Sequence, residues 1–138
     1  MAVETRNRRI DIGVCTFRRP ELAETLRSLA ALAMPDGFEV GVIVADNDDT
    51  PSARELVATL SRDLKLTVRY RHCPARNISI ARNACLDASE ADFLAFIDDD
   101  ETATARWLAE LVATAEESGA TAVLGPVRAL YRPDAPYW

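Results

Sequence analysis

The sequence predicts an α/β fold in which a mostly parallel β-sheet is sandwiched by helices. Strand-like and helix-like patterns alternate along all 138 residues, which is typical of βαβ units joined by right-handed crossovers. Hydrophobic residues make up 49% of the chain, so a molecule of this size can bury a stable core. The length fits one domain, which we take to span residues 1–138.

The first half of the chain predicts three strands, at residues 9–15, 39–45 and 66–70. The second of these is rich in β-branched residues, which suits a strand that is buried on both faces. Pro20 begins the first helix, which ends before Gly37. Thr50 and Pro51 are the expected N-cap and first residue of the second helix. The apolar faces of the two helices are Leu22, Leu26 and Leu29, and Leu56, Val57 and Leu60.

The second half continues the alternation, with helices at residues 78–88 and 103–118 and strands at 92–97 and 122–127. We expect Ile80 and Ala84 to lie on the inner side of the first of these helices. Gly119 ends the second helix, since glycine is common just after a helix C-terminus. The inner face of that helix is predicted to be Trp107, Leu108, Leu111, Val112 and Ala115. The chain closes on RPDAPYW rather than on a packed element, so we expect it to be truncated.

Composition excludes several classes of protein. The net charge of −6 argues against nucleic-acid binding, which needs a basic face. The three cysteines form no CxxC pair, so a zinc site or a disulfide framework is not expected, and a reducing compartment fits. No long apolar run indicates a transmembrane segment and no signal peptide is visible, so we expect a cytoplasmic protein. His72 is the only histidine, and P-loop and GxGxxG motifs are absent.

Polar residues gather where the predicted strands end. The first strand ends in Cys15 and Thr16, the second is followed by residues 46–49 (DNDD), and the fourth is followed by residues 98–101 (DDDE). In an open parallel sheet, ligands bind outside the carboxyl ends of the strands. The sequence therefore predicts a binding site that is rich in carboxylates at this edge.

The run Asp98-Asp99-Asp100 predicts a site for Mg²⁺ or Mn²⁺. Adjacent carboxylates repel one another, and a divalent cation relieves that repulsion. In an extended segment, residues i and i+2 face the same way, so Asp98 and Asp100 could share one ion. The alternative is a solvated acidic loop. Arg82 and Asp46 have equally plain alternatives, as a surface arginine and a turn-forming aspartate.

Four segments in order resemble family 2 glycosyltransferases of the GT-A fold, of the bacterial type that builds polysaccharides such as succinoglycan. The segments are VCTFRRPELAETLRSL, VIVADND, ISIARNACLDAS and DFLAFIDDDE, between about Ile10 and Glu101. The resemblance implies the nucleotide-sugar-binding portion of such an enzyme. It also implies metal-assisted, inverting transfer of a sugar from a nucleotide-diphosphate sugar to a saccharide or lipid-linked acceptor. Association of the full-length protein with the inner membrane surface is compatible with such acceptors.

The resemblance assigns four residues to the nucleotide. Thr16 matches the end of the family's first strand, which lies against the base, and Arg18 is close to it. Asp46 matches the acid that reads the uracil N–H, so UDP is favoured over GDP. Arg82 matches the arginine of the family's ARN segment. Asp48 departs from the family, in which many members have a small residue at this point.

The resemblance also implies that Asp98 and Asp100 are the two acids of the family's DxD motif. Asp98 would lie near the ribose, and Asp100 would bind the metal that bridges the diphosphate. Asp99 would be the variable middle residue. The catalytic base of the family lies well downstream of this motif, so we expect it beyond residue 138. We accordingly expect the 138 residues alone to be weak or inactive in sugar transfer.

Three other functions fit parts of the pattern. A receiver-type signalling domain is also a small α/β unit with an acidic pocket, but it needs acids at the end of the first strand. A sugar-nucleotide pyrophosphorylase needs a glycine-rich loop there, and TFRRPEL has no glycine. A non-catalytic nucleotide-binding or partner-binding module shares every feature of the chain that an enzyme fragment would have.

Overall fold

A computed structural model describes residues 7–136 of the chain. Four parallel strands form one sheet, in the order β3-β2-β1-β4. The strands alternate with helices along the chain, as the sequence predicts. The elements are β1 (Arg8–Thr16), α1 (Leu22–Ala30), β2 (Phe38–Asp46), α2 (Arg54–Asp63), β3 (Val68–His72), α3 (Ile78–Ala88), β4 (Phe93–Phe96) and α4 (Trp107–Ser118).

The larger core lies on one face of the sheet. Alternate residues of β1 and β2 point to this face, because side chains in a strand alternate between the two sides. Helices α1, α2 and α4 cover it with leucines and valines. The most buried members are Ile10, Ile12, Val14, Leu22, Leu26, Leu29, Val42, Val44, Val57 and Leu108.

The opposite face is covered by α3. Ala81 and Cys85 of this helix are fully buried against Ile43 and Ala45 of β2. Ile80, in contrast, is 45% exposed, so the prediction that it faces inward is wrong. The helix lies close to the sheet through small residues, and a search for large apolar residues misses that face.

An ion pair is buried on the α3 side of the sheet. Asp11 of β1 is 1% exposed, and one of its carboxylate oxygens contacts the guanidinium group of Arg69 on β3. The other oxygen accepts a hydrogen bond of 2.7 Å from Ser89 Oγ. A Cβ atom at Gly41, on the strand between them, would lie 2.9 Å from Asp11 Oδ1. Glycine at this position therefore leaves room for the pair to form across β2.

One predicted strand is absent, and the predicted starts of three helices differ from the structure, that of α1 being Leu22 rather than Pro20. Residues 122–127 form no strand, and α4 begins at Trp107 rather than at residue 103. The segment before α4 is instead tied to α1, because Ala103 N donates to Ser28 Oγ at 3.0 Å. Helix α2 begins at Arg54, three residues later than the Thr50-Pro51 start that the sequence predicts. None of the helices within residues 7–136 combines the length and the apolar character needed to cross a bilayer.

Candidate functional site

The carboxyl ends of the strands meet at one edge of the sheet. Thr16 of β1 is aligned with Asp46 of β2, and Asp46 is aligned with His72 of β3. An open cleft of about 500 Å³ lies at this edge. Its lining combines two arginines, a carboxylate and two apolar side chains with the strand ends. The lining residues are Cys15, Thr16, Phe17, Arg19, Asn47, Arg76, Ile78 and Asp99.

Of the residues that were predicted to bind the nucleotide or the metal, all of which the structure describes, Thr16 alone lines this cleft. It is only 3% exposed, and its hydroxyl donates a hydrogen bond of 2.8 Å to Asp99 Oδ2. The end of β1 is thereby joined to residues 98–101 (DDDE) after β4, which we call the acidic turn. Burial is the main cause that raises the pKa of Asp99, and the Thr16 hydrogen bond opposes it.

Asp46 is completely buried, with its carboxylate turned into the protein. Oδ1 accepts the Asp48 N–H at 3.1 Å, and Oδ2 accepts the Ala53 N–H at 2.9 Å. The Tyr70 hydroxyl donates to Oδ2 as well. The structure therefore shows Asp46 fixing the loop after β2 and the start of α2. Direct contact between Asp46 and a base stays a prediction.

Arg18 is held by an acid of the neighbouring loop. Its Nε donates to Asp48 Oδ1 at 2.9 Å, and a second guanidinium nitrogen lies 2.8 Å from the same oxygen. The hydrogen bond from Arg18 lowers the pKa of the Asp48 carboxyl to about 2. Arg18 and Arg76 both have positive φ, at 52° and 46°, a conformation that is uncommon away from glycine. Strained residues of this kind often lie at functional sites.

Arg82, Asp98 and Asp100 lie outside the cleft lining, on the rim of the same edge. Arg82 Nη2 is 3.7 Å from Asp98 Oδ1, and Arg19 Nη1 is 3.7 Å from Asp100 Oδ2. The side chains of Asp98 and Asp100 are 62% and 47% exposed, so their oxygens can be reached by a ligand.

The acidic turn has donors of the kind that Mg²⁺ and Mn²⁺ prefer. Within residues 7–136, no group of three or more histidine, cysteine, aspartate or glutamate side chains is placed to enclose a metal. A catalytic Mg²⁺ is commonly held by one or two carboxylates together with substrate phosphates, rather than by a cage of protein ligands. Asp98 and Asp100 fit this mode, because both are exposed oxygen donors beside the cleft.

Sequence reasoning missed two of the cleft's charged residues. Arg19 stands beside Arg18 in TFRRP, and its Nε lies 4.0 Å from Asp99 Oδ1. Arg76 lies just before α3 and pairs with Asp49. Arg19 lies in the first segment that carries the family resemblance, whereas Arg76 lies two residues before the third segment. Their direction into the cleft depends on loop conformation, which the sequence pattern does not contain.

A comparison with protein families decides the classification. The model of the family described as "Glycosyl transferase family 2" matches residues 11–138. The chain belongs to glycosyl transferase family 2. Over 129 residues it is 63% identical to the succinoglycan biosynthesis protein ExoM of Rhizobium meliloti (strain 1021), a match that covers 94% of this chain and 42% of ExoM.

Solved structures confirm the GT-A fold of this family 2 chain. Residues 1–349 of TarS from S. aureus, in complex with UDP, match with a TM-score of 0.65 at 25% identity, over 79% of this chain and 32% of TarS. The mannosyltransferase PcManGT from Pyrobaculum calidifontis, in complex with GDP-Man and Mn²⁺, matches with a TM-score of 0.70 at 20% identity, over the same two shares. The chain thus spans less than half the length of these relatives.

Proposed function

We propose that this chain binds the donor nucleotide of a family 2 glycosyltransferase that builds polysaccharide. The observation that carries the proposal is the cleft at the carboxyl edge, in which Arg19 and Arg76 lie beside the acidic turn. Guanidinium groups bind phosphate oxygens well, and the exposed carboxylates can hold a cation. Both halves of a metal–diphosphate complex therefore find partners at one place.

UDP is the nucleotide that we favour. TarS, at 25% identity, has been solved with UDP, and the resemblance around Asp46 implies recognition of uracil. Because Asp46 is buried, we propose that it acts through the loop that it holds, which presents Asn47 to the cleft. PcManGT, solved with GDP-Man, shares the fold alone at 20% identity.

We propose that Mn²⁺ or Mg²⁺ binds at Asp100 and Asp98, and PcManGT has been solved with Mn²⁺. Such an ion neutralises charge on the nucleoside diphosphate as it leaves the sugar. Arg19 and Arg76 would hold the diphosphate from the cleft side, and Arg82 would contact the nucleotide from α3. The two arginines also offset the repulsion between the acidic turn and an anionic ligand.

The reaction that we propose is transfer of the sugar to a hydroxyl of a saccharide or lipid-linked acceptor, with inversion. The acceptor oxygen bonds to the anomeric carbon as the bond to the diphosphate breaks, and a carboxylate base takes the hydroxyl proton. We place that base beyond residue 138, so these 138 residues bind the donor but transfer little sugar. The similarity to ExoM, a succinoglycan biosynthesis protein, supports a role in polysaccharide synthesis. We place the protein in the cytoplasm or at the inner membrane surface.

Calorimetric titration of UDP, with and without Mn²⁺, tests this function. Wild-type chain should bind UDP more tightly with Mn²⁺ than without it. With Mn²⁺ present, Asp100→Ala should bind UDP at least about tenfold more weakly than wild type. Asp63→Ala is the matched control, because this acid is exposed at the end of α2 and pairs with Arg62. Equal affinity of wild type and Asp100→Ala for UDP in the presence of Mn²⁺ would show that the metal does not bind at this turn. Efficient transfer by the 138 residues to a defined acceptor would contradict the assignment of the base.

A further inference from the structure

The middle acid of the acidic turn is much more buried than its two neighbours. The side chain of Asp99 is 13% exposed, whereas those of Asp98 and Asp100 are 62% and 47% exposed. Asp99 also lines the cleft, which the other two acids do not. The residue at the variable position of the motif is therefore the one that packs into the protein.

The Thr16 side chain at the end of β1 holds the Asp99 carboxylate. Its hydroxyl donates a hydrogen bond of 2.8 Å to Asp99 Oδ2. Hydrogen bonds to an ionised acceptor are shorter and stronger than those between neutral groups. We call the Thr16–Asp99 hydrogen bond the clip, since it joins the turn after β4 to the end of β1.

The rest of the turn is held more loosely. Within it, Asp98 N donates to Glu101 Oε2 and Glu101 N donates to the Asp98 carbonyl, both at 3.2 Å. The contacts of Asp98 with Arg82 and of Asp100 with Arg19 are exposed ion pairs at 3.7 Å. Ion pairs of this kind contribute little to stability in water. The far end of the turn is fixed separately, by Thr25 Oγ1, which donates to the Glu101 carbonyl at 2.7 Å.

We propose that Asp99 is a positioning residue, whose clip to Thr16 sets the direction in which Asp98 and Asp100 present their oxygens to a cation and a diphosphate. Turning the middle residue inward directs both neighbours away from the protein. Residues that fix metal ligands in this way commonly change metal affinity by about 10–100-fold when they are removed. The inference rests on the proposed function and adds a residue to it.

Two substitutions at Thr16 separate the clip from the bulk of the side chain, without a change of charge. Thr16→Val keeps the shape and removes the hydroxyl, and Thr16→Ser keeps the hydroxyl. Hydrogen exchange of the Asp98 and Glu101 amides, followed by NMR without ligand, reports on the turn itself. We expect about tenfold faster exchange in Thr16→Val and unchanged exchange in Thr16→Ser, since a hydrogen bond to a charged group is lost only in the first.

The second readout is UDP affinity in the same variants. With Mn²⁺, Thr16→Val should bind UDP about tenfold more weakly than wild type, and Thr16→Ser should bind like wild type. Without Mn²⁺, the difference in UDP affinity between Thr16→Val and wild type should be smaller, since only a direct contact of Thr16 with the nucleotide could then contribute to it. A third variant, Asp99→Ala, removes the same contact from the other side. The double variant Thr16→Val/Asp99→Ala should therefore bind UDP, with Mn²⁺, no more weakly than the weaker-binding of the two single variants.

The outcomes distinguish the clip from the wider function. Unchanged amide exchange in Thr16→Val would show that the clip does not hold the turn. An equal loss of UDP affinity with and without Mn²⁺ would also overturn it, because Thr16 would then contact the nucleotide directly. If wild-type chain binds no UDP in the presence of Mn²⁺, the proposed function fails, and the exchange experiment still decides whether Asp99 holds the turn.

Discussion

Asp46 and Asp48 are buried acids two residues apart that meet different partners. Asp46 accepts from the backbone and from Tyr70, so it organises the loop from within. Asp48 accepts from the Arg18 guanidinium and the Asp49 N–H, so it joins the loop after β2 to the loop after β1. Tyr70 is affected in turn, since burial and then the Asp46 carboxylate raise the pKa of its hydroxyl. The first and third residues of DNDD thus differ in role although their side chains are the same.

The pKa of Asp48 predicts a dependence of stability on pH. The folded-state pKa of about 2 is below the ordinary value of 3.8, so the ionised form stabilises the fold at higher pH. This contribution is complete above about pH 5 and is lost as the pH falls from about 4 through 2. We expect the gap in unfolding free energy between wild type and Asp48→Asn to narrow over that range in urea titrations. A gap that stays constant from pH 6 to pH 2 would contradict the assignment.

The buried pair of Asp11 and Arg69 predicts a large loss of stability on substitution. Asp11→Ala leaves a guanidinium group with 30% exposure beside an empty position, and it also removes the acceptor of Ser89. We expect a loss of about 3 kcal/mol in the free energy of unfolding, measured by urea denaturation. Asp63→Ala breaks an exposed pair and should change the same quantity by less than about 1 kcal/mol. Similar losses in the two variants would show that the Asp11 pair contributes no more than a surface pair.

At the scale of the elements, helix starts were harder to predict than helix positions. The Thr50-Pro51 pattern predicts a local cap, but the Ala53 N–H at the start of α2 is satisfied by Asp46 at the end of β2. A cap supplied by another element replaces the local one, and its partner is set by the tertiary fold. The strands at residues 9–15 and 39–45 were easier to predict, because their apolar runs are buried whatever the conformation of the loops that follow. The apolar run at residues 122–127 stays mostly exposed and forms no strand.

Helix α3 has the local cap that α2 lacks. Asn77 Oδ1 accepts from the Ser79 N–H at 2.9 Å and from the Ile80 N–H at 3.4 Å. Asn77→Ala should therefore lower the free energy of unfolding by about 1 kcal/mol, and Asn77→Asp should leave it close to wild type. Urea denaturation of the three proteins measures this difference. Equal stability of the Ala and Asp variants would mean that the cap contributes nothing to α3.

At the scale of the molecule, the sequence predicts which edge of the sheet carries the candidate site, but not the contacts that its side chains make. A parallel sheet brings the residues after β1, β2 and β4 together, so Thr16, Asp46 and the acidic turn had to be neighbours. The direction of each side chain follows from loop conformation and burial. The sequence therefore could not show that Asp46 turns inward, or that Asp99 rather than Asp98 lies against Thr16.

The segment after α4 forms no strand and adds little to this sheet. Among the described residues after 119, the hydrogen bonds and the ion pair join near neighbours, such as Ala120 with Ser118 and Arg132 with Asp134. Leu124, Val127, Leu130 and Tyr131 are between 74% and 97% exposed. Apolar groups that stay in water contribute no burial free energy, and contiguous ones promote association.

Removal of the residues after Gly119 should consequently leave the free energy of unfolding within about 1 kcal/mol of the 138-residue chain, while lowering its tendency to self-associate. Gly119 itself is kept because it has φ of 66° and its N–H caps α4 at the Ala115 carbonyl. Urea denaturation and light scattering at increasing concentration measure the two effects. A loss of several kcal/mol would show that these residues pack on the sheet in solution. In that case the fold of residues 7–136 would depend on contacts that the exposed apolar side chains do not make here.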